Sequence, residues 1–176
     1  MPLEEYRKQR DFSKTAEPGP GDTGETPVPP RAPSPGGTGV SPVSPPAPLI
    51  FVVQEHHATH LHWDFRLELE GVLKSWAVPK GPPEESGIKR LAQQVEDHPL
   101  KYATFEGGIP AGEYGAGTVQ IWDHGTWEPQ GDPHEQLAHG DLKIILHGKR
   151  LQGGYALVRF KKAGDNSWLL IKEKAP

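Results

Sequence analysis

The chain contains no cysteine, which excludes disulfide frameworks, thiolate metal sites and cysteine nucleophiles. Long apolar runs are also missing. Nothing approaches a membrane span, and residues 1–12 are charged, without the apolar centre of a secretory signal. Nor does charge of one sign dominate: a formal net charge of −4 gives no global attraction to a polyanion. A small basic pocket could still hold a nucleic-acid end without a long electrostatic footprint. The expectation is a soluble, cytoplasmic protein.

Large apolar residues are almost absent from residues 18–48, which are dominated by Pro, Gly, Ser and Thr. Such a composition cannot bury enough surface to offset the entropy of ordering, so it reads as a disordered, partly polyproline-type linker. At about 3.1 Å per residue it could reach roughly 90 Å. Residues 1–17 differ from it. Arg10-Asp11-Phe12-Ser13-Lys14-Thr15-Ala16-Glu17-Pro18 mixes charge with an aromatic anchor, as a docking arm would, although charged N-termini are commonly solvated. Residues 49–176 are left as the globular part.

That part reads as mostly β. Residues 49–54 are a short run rich in β-branched side chains. Residues 63–70 and 72–78 flank a tight turn at Glu70-Gly71. Residues 79–83 form a loop. Residues 89–96 are ambiguous between helix and strand and end before a break at Asp97-His98-Pro99. Further strands are predicted at 102–106, 117–122, 142–147, 155–160 and 167–172, with a short helix at 134–139. Short strands with Gly/Pro punctuation indicate an antiparallel barrel or sandwich.

Chemistry concentrates at His56-His57-Ala58-Thr59-His60-Leu61-His62-Trp63-Asp64-Phe65-Arg66. From Trp63 onward apolar and charged residues alternate, so His62, Asp64 and Arg66 project together over an apolar floor. Imidazole and carboxylate suit Mn²⁺, Fe²⁺ or Zn²⁺, and a guanidinium suits a substrate anion. Spacing does not decide which imidazoles ligate: His60 and His62 share a face if the strand extends back, and His56 could swing in from a loop. Two weaker groups follow. His98, held extended before Pro99, is a candidate for proton transfer or phosphate contact, with Tyr102 close behind. Lys80 closes the loop after Ser75-Trp76-Ala77-Val78-Pro79, and Lys89-Arg90 lies shortly after; these cations matter only if they approach a metal and an arginine. The glycine-rich stretch 106–115 lacks the Lys-Ser/Thr of a P-loop and reads as a structural turn. His124, His134, His139 and His147 show no ligand pattern.

Taken together, the blocks at 51–56, 60–68, 73–82 and 95–99 closely resemble the 3′-phosphoesterase module of bacterial DNA ligase D. The likeness continues through Phe105-Glu106-Gly107, Gly117-Thr118-Val119 and Trp122-Asp123, and the Arg10–Pro18 run resembles that module's beginning. The resemblance implies a compact antiparallel β-barrel with one or two short helices. It also implies a Mn²⁺-dependent enzyme, other divalent transition metals being possible, that removes a 3′-terminal ribonucleoside and then the 3′-phosphate. His56, His62 and Asp64 match the metal ligands, which returns His57 and His60 to structural or outer roles. Arg66, His98 and Tyr102 match phosphate-side and catalytic residues, and Lys80 and Arg90 match basic residues of the same site. Gln54 and Ser75 match supporting polar positions, while Arg10, Asp11 and Glu17 match the arm.

Three departures accompany the likeness. The long Pro/Gly stretch lowers the effective concentration of the arm at the site. Trp63 stands where a Tyr is common, on the apolar side. No ligase or polymerase segment follows Pro176, so the expectation is a stand-alone monomer acting on DNA or RNA-tipped DNA 3′ ends, with separate ligase and polymerase repair proteins as partners. Two rivals remain: a non-catalytic DNA-end-binding module, and a cupin-type Fe²⁺ oxygenase built on His62-x-Asp64 with a distal His. The convergence of Arg66, Lys80 and Arg90 on the metal would discriminate the phosphoesterase from the oxygenase.

Overall fold

The computed structural model describes residues 3–12, 14–15, 17–18 and 48–174, so most of the linker expected over 18–48 lies outside the described residues. In chain order these form α1 (Leu3–Lys8), β1 (Leu49–His57), β2 (Leu61–Leu69), β3 (Val72–Val78) and β4 (Lys89–Pro99). A 3₁₀ turn (Leu100–Thr104), β5 (Gly107–Ile109), β6 (Gly117–Pro129), α2 (Pro133–His139), β7 (Asp141–His147), β8 (Gln152–Arg159) and β9 (Ser167–Lys172) follow.

Alternation along these strands builds a closed barrel. Eight antiparallel strands run β1-β2-β3-β4-β9-β8-β7-β6, and β6 returns to β1. Closure leaves no unpaired edge in the ring. The short β5 pairs with the first residues of β6, outside it. At the β2–β3 hairpin, Glu70 and Gly71 have φ of 59° and 78°, the left-handed pair a two-residue turn demands. The helix expected near residues 134–139 is also present. Asp132 caps its start through the His134 and Glu135 amides, and Gly140 ends it at φ 80°.

Each inward face supplies the barrel's core: Phe51 and Val53 from β1, Phe65, Leu67 and Leu69 from β2, Trp76 and Val78 from β3, with Trp127, Tyr155 and Trp168 from across the ring. A second apolar cluster lies on the outward face of β1, β3 and β6. Val52, Leu73 and Val119 are covered there by Tyr6, Tyr102, Phe105 and Ile109. The roof comes from α1, the 3₁₀ turn and β5.

Three local expectations are corrected. The ambiguous segment 89–96 is a strand, fixed by its pairing with β3 and β9, and it runs through the expected break to Pro99. The predicted strand at 102–106 is instead the 3₁₀ turn at Leu100–Thr104, closed by the Phe105 amide donating to the Tyr102 carbonyl. β6 continues to Pro129 because its second half is held between β1 and β7. Tertiary pairing outweighs local propensity in β4 and β6, whereas a local hydrogen bond closes the 3₁₀ turn.

Candidate metal and phosphate site

His56 on β1 pairs directly with His62 on β2, and Gln54 with Asp64. β1 therefore reaches far enough to carry His56 within a strand, while His60 sits in the bend before β2 and is exposed. Strand parity sends His62, Asp64 and Arg66 to the outward face, opposite Phe65 and Leu67. One ligand atom from each of His56, His62 and Asp64 lies within 4.8 Å of the others.

The hydrogen bonds prepare this trio for a cation. His56 Nε2 donates to the Gly115 carbonyl at 2.6 Å, leaving Nδ1 facing Asp64 Oδ2 at 3.4 Å. His62 Nδ1 donates to the His60 carbonyl at 3.0 Å, leaving Nε2 facing Asp64 Oδ1 at 3.3 Å. Each imidazole thus spends one nitrogen on a backbone oxygen and turns the other toward the carboxylate, the outer-shell pattern of metal-binding histidines. Burial pulls the His62 pKa down, but Asp64 and the His60 carbonyl outweigh it and the net shift is upward. Burial would also raise the Asp64 carboxyl, yet Arg66, His56 and His62 hold it well below the usual carboxylate range. The donor set fits a divalent transition metal.

Arg66 is fixed beside the trio. Its Nε donates to Gln54 Oε1 at 2.7 Å, and Nη2 lies 3.4 Å from Asp64 Oδ2. Gln54 is itself oriented by donating Nε2 to the Tyr102 and Phe105 carbonyls, at 2.7 and 3.0 Å. Arg66 Nη1, in contrast, is buried with no hydrogen-bond partner among the described residues. A buried guanidinium nitrogen left over in this way calls for an anion.

The third wall depends on a bulge. Ser75 pairs with Val95 but Leu73 pairs with His98, so β4 uses three steps where β3 uses two. The extra residue inverts parity and turns His98 to the site face. His98 Nδ1 donates to the Glu96 carbonyl at 2.9 Å, with Ser75 Oγ 3.5 Å away. Its Nε2 is then an acceptor, 3.2 Å from Arg10 Nη2. Burial, then Arg66 and Arg10, press the His98 pKa well below 6.5, so the ring is neutral near pH 7.

Arg10 belongs to the arm, which packs against this wall. Its Nε and Nη1 donate to Glu17 at 2.8 Å and to Glu96 at 3.0 Å. The Tyr102 hydroxyl donates to Glu17 at 2.8 Å, and burial raises the phenol's pKa further from titration. Tyr6, fully buried, sets its ring edge-on to His98 with centroids 4.8 Å apart.

His56, His62, Asp64, Arg66, His98, Tyr102 and Arg10 line one cavity of about 310 Å³. Gln54, Ser75 and Glu17 stand behind it as supports. Lys80, Arg90 and Asp11 do not line it. Lys80 is exposed after β3, and Asp11 is exposed with its carbonyl accepting from the Lys14 and Thr15 amides. Arg90 pairs with buried Leu170 on the inward parity of Ala92, and the β4 bulge separates that parity from His98. Glu96, Tyr6, Tyr114 and the Gly115 carbonyl were not singled out from sequence. Glu96 stood in the His98 block, but only the bulge reveals its direction.

Residues 54–159 match the family model of the DNA Ligase D 3′-phosphoesterase domain. The chain is 49% identical over 174 residues to the "Multifunctional non-homologous end joining protein LigD" of Pseudomonas aeruginosa, covering 98% of this chain and 19% of that protein. It is 48% identical over 175 residues to the "Multifunctional non-homologous end joining DNA repair protein LigD" of Mycobacterium tuberculosis, and 43% over 178 to the Mycolicibacterium smegmatis LigD. The chain spans about a fifth of the length of the curated relatives it matches.

Proposed function

The chain belongs to the DNA ligase D 3′-phosphoesterase family, and on that premise we propose that it is a metal-dependent enzyme that heals DNA 3′ ends in repair. The substrates are a 3′-phosphate and a 3′-terminal ribonucleoside on DNA or RNA-tipped DNA. The product is the 3′-hydroxyl that a ligase or polymerase uses, in the cytoplasm at the nucleoid. The observation carrying this reading is the unpartnered, buried Arg66 Nη1 beside the His56, His62 and Asp64 donor set.

On this reading His56 Nδ1, His62 Nε2 and Asp64 hold the metal, Mn²⁺ in our proposal. When bound, it supplies Lewis-acid polarisation of a phosphoryl oxygen or activation of water. Arg66 binds a second phosphate oxygen through Nη1 and offsets the charge that grows there. Arg10 adds a second guanidinium to the cavity, held by Glu17, Glu96 and His98. His98, neutral and accepting from Arg10, acts as a positioning residue rather than as a ready acid. Tyr102 keeps its proton and ties Glu17, and through it the arm, to the barrel. Residues 1–17 therefore serve as part of the site in this proposal, docked on a domain of residues 49–176. Lys80 and Arg90 receive no role inside the cavity.

The two guanidiniums facing the cavity favour phosphate chemistry over an oxygenase, which needs an apolar pocket open to oxygen. Purified protein with Mn²⁺ is expected to convert a duplex 3′-phosphate or 3′-terminal ribonucleotide to a 3′-hydroxyl. His62→Ala and Asp64→Asn are expected to lower turnover about a thousandfold, the size of several kcal/mol of lost charge stabilisation. Processing unaffected by these changes or by EDTA would overturn the proposal. DNA-end affinity surviving EDTA without any product would instead indicate a non-catalytic end-binding module.

A further inference from the structure

Tyr114 is 46% exposed, and large apolar side chains are seldom so exposed among the described residues, Leu61 and Leu91 being the others. Single exposed apolar residues are ordinary; Tyr114 differs in its location and in how it is held. Its ring lines the cavity that contains His62, Asp64 and Arg66, and it belongs to neither apolar cluster. The Arg10 guanidinium lies 5.1 Å from its centroid.

The loop that carries Tyr114 is tied down on both sides. The Glu113 amide donates to the Pro110 carbonyl at 3.1 Å and the Ala116 amide to the Glu113 carbonyl at 3.0 Å. The next residue, Gly115, stands at φ 77° and accepts the His56 hydrogen bond at 2.6 Å. A Cβ on Gly115 would meet His56 Cε1 at 3.4 Å, so the loop approaches the metal trio as closely as a side chain would allow. The tyrosine position is thereby coupled to the trio itself. Beyond it, Ala58, His62 and Gly115 are shared with an adjoining open groove of about 350 Å³, along which a strand could leave the cavity.

We propose that Tyr114 is the platform on which the nucleobase next to the scissile 3′-phosphate stacks. The inference rests on the phosphoesterase reading above. A phosphate grip alone is the same for every phosphoryl group, whereas an aromatic face beside it recognises a nucleotide end. Stacking tolerates any base because every base has a π-face, as an enzyme meeting unselected broken ends requires.

The test uses two 3′-phosphate duplexes that differ only in the last nucleotide, one carrying 2-aminopurine and one abasic. With Mn²⁺, the wild type is expected to show a KM about tenfold lower for the base-bearing end, within the range of base–aromatic stacking. Tyr114→Ala should erase that preference and Tyr114→Trp should keep it. In EDTA, binding should quench 2-aminopurine fluorescence with the wild type and Tyr114→Trp but not with Tyr114→Ala. An alanine variant that impairs both ends equally would mean the ring only props Arg10, and would overturn the inference. So would an intact preference in that variant, or a wild type indifferent to the base. If the wild type processes neither end, the phosphoesterase reading fails, while the quenching still decides the stacking.

Discussion

The inward face of β2 buries Phe65, Leu67 and Leu69, while its outward face buries Asp64 and Arg66. Both sets of side chains are buried, and different physics buries them. Inside, each side chain contributes about 1.5–3 kcal/mol simply by leaving water. Outside, charges taken from water cost free energy unless each finds a partner. The outward face answers that demand with Gln54 beside Arg66 and with His56, His62 and Arg66 around Asp64, and it leaves Arg66 Nη1 unanswered. One face is closed by apolar packing, the other by paired charges with one guanidinium nitrogen left over.

The strongest way to separate the faces is to damage one and watch the other. Trp76→Ala empties an inward position packed against Phe65 and Trp168. It should lower unfolding free energy by about 3–5 kcal/mol, measured by urea titration, while residual folded protein keeps its metal affinity. Parallel loss of metal affinity in the folded fraction would merge the two faces into one cooperative unit.

A smaller effect is expected from Arg10→Ala, which strips Glu17 and Glu96 of their buried cation. Breaking a buried pair can cost about 3–5 kcal/mol, but here release of the arm limits the loss to the free energy of docking. Hydrogen exchange should show α1 losing protection, with the barrel's melting midpoint within about 4 °C of wild type. A large fall in that midpoint would mean the arm is part of the barrel's own stability.

The smallest effect is a pH slope. The folded pKa of His98 lies below its ordinary value of 6.5, so below pH 6.5 the unfolded chain takes up a proton that the native ring refuses. Its contribution is absent above that value and lowers stability as pH falls, by at most about 1.4 kcal/mol per pH unit. His62, with a raised pKa, acts in the opposite sense, so the metal-free wild type is best compared with His98→Asn. The variant should show the shallower loss on acidification; equal slopes would place His98 in contact with water.

The inward face was the legible one. Strict alternation from Trp63 to Glu70 gave β2 its floor, and Glu70-Gly71 gave the hairpin. The outward face was legible only where parity ran unbroken, at His62, Asp64 and Arg66. Arg90 and His98 share sequence parity on β4, yet the bulge opposite Leu73 and Ser75 turns them to opposite sides. A single extra residue in a ladder leaves no mark in composition. The roof was hidden for another reason. α1 is only six residues long, too short to be stable alone, and it exists because Tyr6 packs on His98 and Tyr102. Glu96 became visible only with the bulge, and Tyr114 only once the Gly115 loop was seen against His56.

The central claim is that the outward face of β1 and β2 holds a metal through one chosen nitrogen of each of two histidines. A titration with diamagnetic Zn²⁺, followed by long-range ¹H–¹⁵N correlation of the imidazole rings, tests it most directly. The expected result is a ligation shift at His56 Nδ1 and His62 Nε2, with His56 Nε2 and His62 Nδ1 remaining protonated against the Gly115 and His60 carbonyls. Shifts at His57, His60 or His134 instead, or at the opposite nitrogens, would contradict the account.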